Sequence, residues 1–139
     1  MSVRTVTHLN FRGQARDALH FYRQALAGQL TLVSYGDAGQ PGLAADPSHV
    51  IWGQVATDAG FHVMAYDVQA DLPWNPGENA FFISLRCDSE DEARTLWNAL
   101  GEGGTVREPM GPSPWSPLYG KLEDRFGVIW LIDVAVAYR

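Results

Sequence analysis

The feature of this sequence that most constrains its fold is an internal repeat. Secondary-structure signals follow the order βαβββ twice, on either side of a polar stretch. Residues of the two copies also match at a shift of 75, including Ala18 with Ala93, Phe21 with Leu96, Tyr22 with Trp97, Ala25 with Leu100 and Gly28 with Gly103. One copy cannot bury its own hydrophobic face, so we expect the copies to pack together around a shared cleft.

The first copy contains a predicted strand, an amphipathic helix and three further strands. The helix follows an apolar stripe that begins at Ala15, and Gly28 is predicted to end it. A loop is predicted between Gly36 and Pro47, where glycine and proline cluster. The strands are predicted at Val3–Phe11, Leu30–Tyr35, Val50–Ala56 and Phe61–Tyr66.

The second copy repeats this order after the polar stretch. Its helix is predicted to start after Asp88 and Ser89, which are good N-cap residues, and a proline-rich loop is predicted at Met110–Pro117. The strands are predicted at Phe81–Cys87, Thr105–Glu108, Leu118–Glu123 and Val128–Val134.

These elements predict one α+β domain over residues 1–139. Its two βαβββ modules are expected to pack on each other with their sheets facing the shared cleft. Module one is predicted at about residues 1–67, the linker at about 68–79 and module two at about 80–139.

The charge of the chain argues against nucleic acid or an anionic membrane as a partner. Ten basic and sixteen acidic residues give a net charge of -6, and the basic residues form no cluster. The N-terminal stretch MSVRTVTHLNF has no apolar signal-peptide region. We therefore expect a cytoplasmic protein with no membrane partner.

Cys87 is the single cysteine, so neither an internal disulfide nor a cysteine zinc site can form. It lies in an apolar strand pattern, which predicts a buried core thiol rather than a nucleophile.

Four segments carry a family resemblance: HLNFRGQARDALHFYRQALAG, the SYGD…DPSHVIWGQVATDAGFHVMAYD stretch, FFISLRCDSEDEARTLWNALGEGG and WSPLYGKLEDRFGVIWLID. With them the chain resembles the vicinal oxygen chelate superfamily, which includes glyoxalase I, extradiol dioxygenases, and fosfomycin and bleomycin resistance proteins. It resembles the PhnB-like branch most closely. The resemblance implies paired βαβββ modules that form a cup-shaped mixed sheet with the helices on the outer face, and commonly a homodimer.

The resemblance also implies where a divalent metal would be held in the enzymes of the superfamily. The first-strand position falls on Thr7, or on His8 in the alternative register, and its counterpart on Phe82 or Ile83. The last-strand positions, four residues past the hairpin glycines, fall on Met64 and Leu131. At most one of these residues is a good ligand, whereas a metal site normally needs three. The sequence therefore predicts no metal at the usual site and no cofactor.

The candidate ligand-binding residues are His8, Trp52, Gln54, Met64, Phe82, Trp115, Tyr119 and Leu131. Trp52 and Gln54 either line the cleft as an aromatic wall and a polar anchor, or cover the helix or a dimer surface. Trp115 and Tyr119 either line the pocket or close the mouth of the cup as a structural plug. His20, His49 and His62 are weaker candidates, and Trp74 is a candidate dimer contact.

Three further patterns are interpreted as structural. Glu123 and Asp133 suggest an acid–base pair, but solvent-facing strand residues are the stronger interpretation. Asp124 and Gly127 are assigned to turn chemistry alone. The segment Gly101–Gly104 follows a helix and precedes a strand, which is the opposite of a dinucleotide fingerprint. A methyltransferase activity, a label that the branch has carried, is not supported by any glycine-rich cofactor loop.

We therefore expect a metal-free protein that binds a small molecule in an apolar and aromatic cleft. The alternative is a divalent-metal-dependent lyase, isomerase or dioxygenase with a relocated site built from His8, Gln54, His62 and Asp133. A third possibility is an interaction module without a ligand, whose aromatic residues serve a dimer interface. Whether a reaction is catalysed, and which molecule binds, stays open at the level of sequence.

Overall fold

The computed structural model describes residues 2–136, which contain two α-helices and eight β-strands in the predicted order. The chain divides between Glu78 and Asn79 into two compact units. The first unit contains β1 (Thr7–Phe11), α1 (Ala15–Leu26), β2 (Gln29–Ser34), β3 (Val50–Ala56) and β4 (His62–Asp67). The second contains β5 (Ile83–Cys87), α2 (Glu90–Gly101), β6 (Thr105–Ser113), β7 (Ser116–Glu123) and β8 (Ile129–Val134).

Each unit folds its four strands into one mixed sheet, and the two sheets share a topology. The strand order is β1-β4-β3-β2 in the first sheet and β5-β8-β7-β6 in the second. The first and last strands of each unit pair in parallel, and the other pairs are antiparallel. The predicted α+β class with two βαβββ modules is therefore confirmed. Over residues 2–136, neither helix is long and apolar enough to cross a membrane.

A glycine in the middle of each sheet lets the helix of that unit pack closely. A Cβ atom at Gly53 of β3 would lie 2.4 Å from Cδ1 of Leu19, which is fully buried on α1. A Cβ atom at Gly120 of β7 would lie 2.6 Å from the ring of Trp97 on α2. Close packing of this kind stabilises both cores, because a filled interior keeps its dispersion contacts.

Several predicted boundaries differ from the structure, and two of the differences are large. β1 begins at Thr7 rather than at Val3. The predicted proline-rich loop Met110–Pro117 is mostly strand, because β6 continues to Ser113 and β7 starts at Ser116. β6 is an edge strand with several register shifts, and an edge tolerates prolines, which cannot donate to a ladder.

Gly28 was predicted to end helix α1, but the left-handed residue that ends the helix is one position earlier. The left-handed residue at the C-terminus is Ala27, with φ 52° and ψ 43°, and the amide of Gly28 donates to the carbonyl of Arg23. Gly28 is needed for a different reason, because a Cβ there would lie 2.7 Å from Cγ1 of Val55. The expected glycine cap is therefore a close-approach position instead.

We expect Ala27→Gly to stabilise the protein by about 0.5–1 kcal/mol, because glycine adopts positive φ without the Cβ penalty. The matched control Ala25→Gly lies inside α1 and should destabilise by about 1 kcal/mol. Urea unfolding followed by circular dichroism measures both changes. Equal losses of stability in the two variants would contradict the left-handed cap.

The polar stretch predicted as a linker packs on the first unit up to Glu78. Nε1 of Trp74 donates to the main-chain oxygen of Asn10 at 3.0 Å. The Arg12 guanidinium donates to the carbonyls of Gln69, at 3.0 Å, and Leu72. The indole of Trp74 is therefore held by a hydrogen bond within its own unit. Its role in a dimer contact stays a prediction.

Candidate functional site

The sheet of the first unit has one face covered by α1 and an opposite face, here called the first open face. Gly53 and the fully buried Val55 lie on the α1 side, so their neighbours Trp52 and Gln54 point to the opposite side. The register places His8 beside Met64, and Met64 beside Gln54. The four candidates of this unit, His8, Trp52, Gln54 and Met64, therefore share the first open face.

Polar and aromatic contacts hold the side chains of the first open face in place. Nδ1 of His8 lies 2.9 Å from Oδ1 of Asn10, and its ring packs edge-to-face on Tyr66 with centroids 5.3 Å apart. Nε2 of His62 lies 2.8 Å from Oε1 of Gln54. Trp52 keeps 37% of its surface exposed. This face offers an aromatic surface with two oriented polar groups.

The second unit has an equivalent second open face, opposite to α2. Gly120 contacts Trp97 on the α2 side, so Tyr119 points away from the helix, and its cross-strand partner is Asp133. Leu131 lies on the same face, two residues before Asp133 along β8. Phe82 precedes β5, and Nζ of Lys121 lies 5.0 Å from the centre of its ring.

Trp115 lies in a tight turn between β6 and β7 rather than in a long loop. Its ring packs edge-to-face on Tyr119 with centroids 5.2 Å apart, and half of its surface is exposed. The structure therefore brings together two of the predicted aromatic residues, Trp115 and Tyr119.

The register corrects the position that was matched to His8 in the second unit. His8 pairs with Met64 in the first unit, and the residue that pairs with Leu131 in the equivalent way is Ser84. The shift of 75, taken from the helices, matched Thr7 to Phe82 and His8 to Ile83. The connection between strand and helix differs in length between the units, so the helix shift does not apply to the first strand.

The four positions implied for a divalent metal are thus His8, Met64, Ser84 and Leu131. An imidazole, a thioether, a hydroxyl and an aliphatic side chain do not form a donor set for a hard cation. Within the described residues, no group of three His, Cys, Asp or Glu side chains is arranged to hold a metal ion. The residues present do not fit the metal of the superfamily's enzymes.

Of the residues proposed for a relocated metal site, only two are brought together in the first unit. Gln54 and His62 are hydrogen-bonded to each other. His8 is two strands from Gln54, with Met64 between them, a separation of about 10 Å between backbones. The imidazole of His8 is therefore too far from the other two groups to share an ion with them without rearrangement.

Charged residues on the second open face are mostly paired. Nζ of Lys121 lies 3.1 Å from Oε1 of Glu108, and Arg107 contacts Glu123. Burial, the negative charge of Glu108 and a hydrogen bond to that carboxylate raise the pKa of Tyr119. The phenol therefore stays protonated near neutral pH.

Asp133 does not face solvent, which corrects the interpretation from sequence. It is only 6% exposed, although it lies on the same side of the sheet as Tyr119. The cross-strand partner of Asp133 is Tyr119, and Glu123 lies four residues after Tyr119 along β7. Because four strand residues span about 13 Å, the two acids do not form the acid–base pair considered above.

Asp67 and Asp124 both accept hydrogen bonds from several main-chain amides. The sequence predicted such a role for Asp124 alone, in a turn. Asp67 is buried and accepts hydrogen bonds from three main-chain amides. Asp124 accepts from the amides of Phe126 and Val128, as a turn residue does. It also accepts from Nε1 of the fully buried Trp130 at 2.9 Å, so its role extends beyond the turn.

The remaining candidates have structural positions. Cys87 is buried as predicted, and burial raises the pKa of its thiol to about 11, so the reactive thiolate is disfavoured. His20 is exposed on α1, and the ring of His49 lies next to Gly13. The segment Gly101–Gly104 joins α2 to β6, as expected. A Cβ at Gly104 would lie 2.3 Å from the carbonyl oxygen of Glu123, so protein atoms fill the space beside this segment.

Comparisons with known proteins identify relatives over nearly the whole chain. A family model described as 3-demethylubiquinone-9 3-methyltransferase matches residues 3–133. The crystal structure of protein PA1353 from Pseudomonas aeruginosa shares 36% identity, with a TM-score of 0.85 and coverage of 96% of this chain and 98% of that one.

Two further structures are similar at lower identity. The first, from Bacillus cereus, is described as a putative 3-demethylubiquinone-9 3-methyltransferase, PhnB protein. It shares 26% identity, with a TM-score of 0.72 and coverage of 96% of this chain and 100% of that one. TnmS3, an antibiotic binding protein from Streptomyces sp. CB03234, shares 21% identity, with a TM-score of 0.58 and coverage of 98% and 99%. The last similarity concerns the fold alone.

Proposed function

The chain belongs to the PhnB-like branch of the vicinal oxygen chelate superfamily, and from this premise we propose that it binds a small molecule without a metal ion. The observation that carries the proposal is the nature of the four metal positions. Two of them hold the apolar side chains Met64 and Leu131, while each open face carries aromatic and polar side chains. Such surfaces suit an organic ligand better than a hard cation.

The proposed contacts lie on the two open faces. On the first, Trp52 supplies an aromatic surface, and Gln54 and His8 supply polar anchors beside Met64. On the second, the proposed contacts are Phe82, Trp115, Tyr119 and Leu131. Partly exposed aromatic side chains gain most from a ligand, because contact removes their remaining apolar surface from water.

Two comparisons bear on the choice of function. The antibiotic binding described for the Streptomyces protein is consistent with sequestration as a function of this fold. Methyl transfer, the activity in the description of the family model, is not proposed. The glycine-rich segment of this chain follows a helix and is packed against Glu123, whereas a phosphate- or cofactor-cradling loop precedes a helix.

The test is a thermal-shift and fluorescence titration of protein dialysed against EDTA, with metal-free bleomycin and the planar antibiotic doxorubicin as probes. A ligand at 100 times its dissociation constant stabilises by about 2.7 kcal/mol, a measurable shift in a chain of this size. We expect binding without added metal, and a loss of at least about tenfold in affinity for Trp52→Leu, since buried aromatic contacts dominate such interfaces.

Phe21→Leu is the matched control, because it makes the same kind of change on α1, away from the first open face. Its affinity should stay within about twofold of the wild type. Binding that appears only after Mn²⁺, Ni²⁺, Zn²⁺ or Fe²⁺ is added would favour the metal-dependent alternative. Binding by neither probe, with or without metal, would remove support for a ligand of this class.

The family resemblance also leads us to propose a homodimer. Light scattering coupled to size exclusion measures the mass in solution, which is expected to be twice 15.3 kDa. A monomeric mass at micromolar concentration would contradict the dimer but not the binding of a ligand.

A further inference from the structure

Asp133 of β8 has a carboxylate oxygen that lacks a hydrogen-bond partner. Its Oδ1 atom is buried and accepts no hydrogen bond from the described residues. The nearest cation is Arg86, whose Nε lies 3.6 Å away, beyond hydrogen-bonding distance. A buried carboxylate oxygen is costly unless a donor satisfies it, so an oxygen of this kind calls for an explanation.

The neighbouring groups of the second open face do not supply that donor. Tyr119 is the cross-strand partner of Asp133, but its hydroxyl does not donate to Oδ1. Lys121 is paired with Glu108, and Arg107 with Glu123. Among Glu108, Glu123 and Asp133 on the described part of this face, Asp133 therefore has the most distant cationic partner.

The surroundings of Asp133 are those of a polar anchor in an apolar site. Leu131 and Tyr119, both proposed ligand contacts, flank it along the strand and across the sheet. Arg86 lies over Oδ1, but 52% of its side chain is exposed. Because the contact is long, a ligand donor that approaches Oδ1 within hydrogen-bonding distance would compete with it.

We propose that Oδ1 of Asp133 accepts a hydrogen bond from a cationic amine of the ligand. The inference rests on the proposed function and names the ligand class: an aromatic or apolar molecule that carries an ammonium group. A cation satisfies both the free lone pair and the buried negative charge, as a charge-assisted hydrogen bond. The net charge of -6 also favours the approach of cations over anions.

The experiment compares three probes with the same ring system: 1-naphthylmethylamine, the neutral 1-methylnaphthalene and the anionic 1-naphthoate. Dissociation constants are measured by tryptophan fluorescence for the wild type and for Asp133→Asn. The wild type should bind the amine at least about tenfold more tightly than the neutral probe. In Asp133→Asn this preference should fall below about threefold, while the affinity for the neutral probe changes by less than about twofold.

Two further variants make the result specific. Glu123→Gln removes a carboxylate from the same face and should leave the preference for the amine unchanged, because Arg107 already pairs with Glu123. Arg86→Met removes the competing cation and should increase the preference for the amine by at least about threefold. The second variant tests the inference even if Asp133→Asn fails to fold.

The outcomes separate this inference from the function on which it rests. Equal affinities for the three probes in the wild type, or an unchanged preference in folded Asp133→Asn, would overturn the role of Asp133 and leave small-molecule binding intact. An Arg86→Met variant that loses affinity for the amine would also overturn it. Failure of all three probes to bind would overturn aromatic ligand binding by this protein and, with it, the assignment of Asp133.

Discussion

Asp67→Ala is expected to destabilise the protein by roughly 4–6 kcal/mol, a large part of the total stability of a domain of this size. The carboxylate of Asp67 accepts from the amide of Gly13 at 2.6 Å, of Ala15 at 3.1 Å and of Val50 at 2.8 Å. These amides belong to the start of α1, the turn before it and the start of β3. Alanine would leave the three donors without their acceptor. Two of them, the amides of Ala15 and Val50, are buried, and each buried loss costs about 1–3 kcal/mol.

Asp67→Asn gives a graded version of the same test. One amide oxygen can still accept from Gly13 and Ala15, but an NH₂ group would then face the amide of Val50. We expect a loss of about 2–3 kcal/mol, since one interaction becomes repulsive and the charge is removed. Asp71→Ala, on an exposed residue of the same unit, should change the stability by less than about 0.5 kcal/mol.

Urea unfolding monitored by tryptophan fluorescence gives the free energy of unfolding of each variant. The expected order of stability is wild type and Asp71→Ala, then Asp67→Asn, then Asp67→Ala. If Asp67→Ala loses less than about 1.5 kcal/mol, the three hydrogen bonds do not contribute as described. The hydroxyl of Tyr35 donates to the main-chain oxygen of Asp67, so this bond persists in both variants and does not affect the comparison.

Gly104→Ala is expected to destabilise the protein by about 3 kcal/mol or to prevent the native packing of the second unit. The added Cβ would lie 2.3 Å from the carbonyl oxygen of Glu123 and 3.1 Å from Cα of Asp124. Both are backbone atoms at the end of β7, and Asp124 holds the following turn through its own hydrogen bonds. A backbone fixed in this way cannot move aside as a flexible side chain could.

Gly101→Ala is the matched control, only three residues earlier. Its Cβ would meet Cδ2 of Leu122 at 3.5 Å, an ordinary contact, at the last residue of α2. Alanine also has the better helix propensity, so we expect no loss, or a gain of up to about 1 kcal/mol. Thermal and urea unfolding distinguish the two variants. Equal effects at Gly101 and Gly104 would show that the contact with Glu123 is not limiting.

The order of the elements could be predicted because it depends on local patterns. The apolar stripe from Ala15 predicted α1, and Ser89 predicted the start of α2, where its side chain accepts from the amide of Glu92. β3 was predicted at its observed bounds, Val50–Ala56. Helix and strand periodicity are properties of consecutive residues, so a single sequence contains them.

Errors arose where neighbouring chain segments decide the local structure. The prolines at 112, 114 and 117 suggested a loop, but β7 provides the partner that extends β6 to Ser113. Gly28 suggested a helix cap, but the approach of Val55 explains this glycine and Ala27 takes the left-handed conformation. In both cases the deciding contact is with residues distant in sequence.

The sequence by itself determined the repeat, the α+β class, the burial of Cys87 and the placement of His8, Trp52, Gln54 and Met64 on strands. Only the tertiary structure decided which residues share a face, that Ser84 rather than Ile83 is the counterpart of His8, and that Asp67 and Asp133 are buried. The physical reason is that register and burial depend on pairing between strands far apart in the chain. An aspartate is the same letter in a sequence whether its carboxylate faces water, accepts from three amides or keeps a buried oxygen without a hydrogen bond.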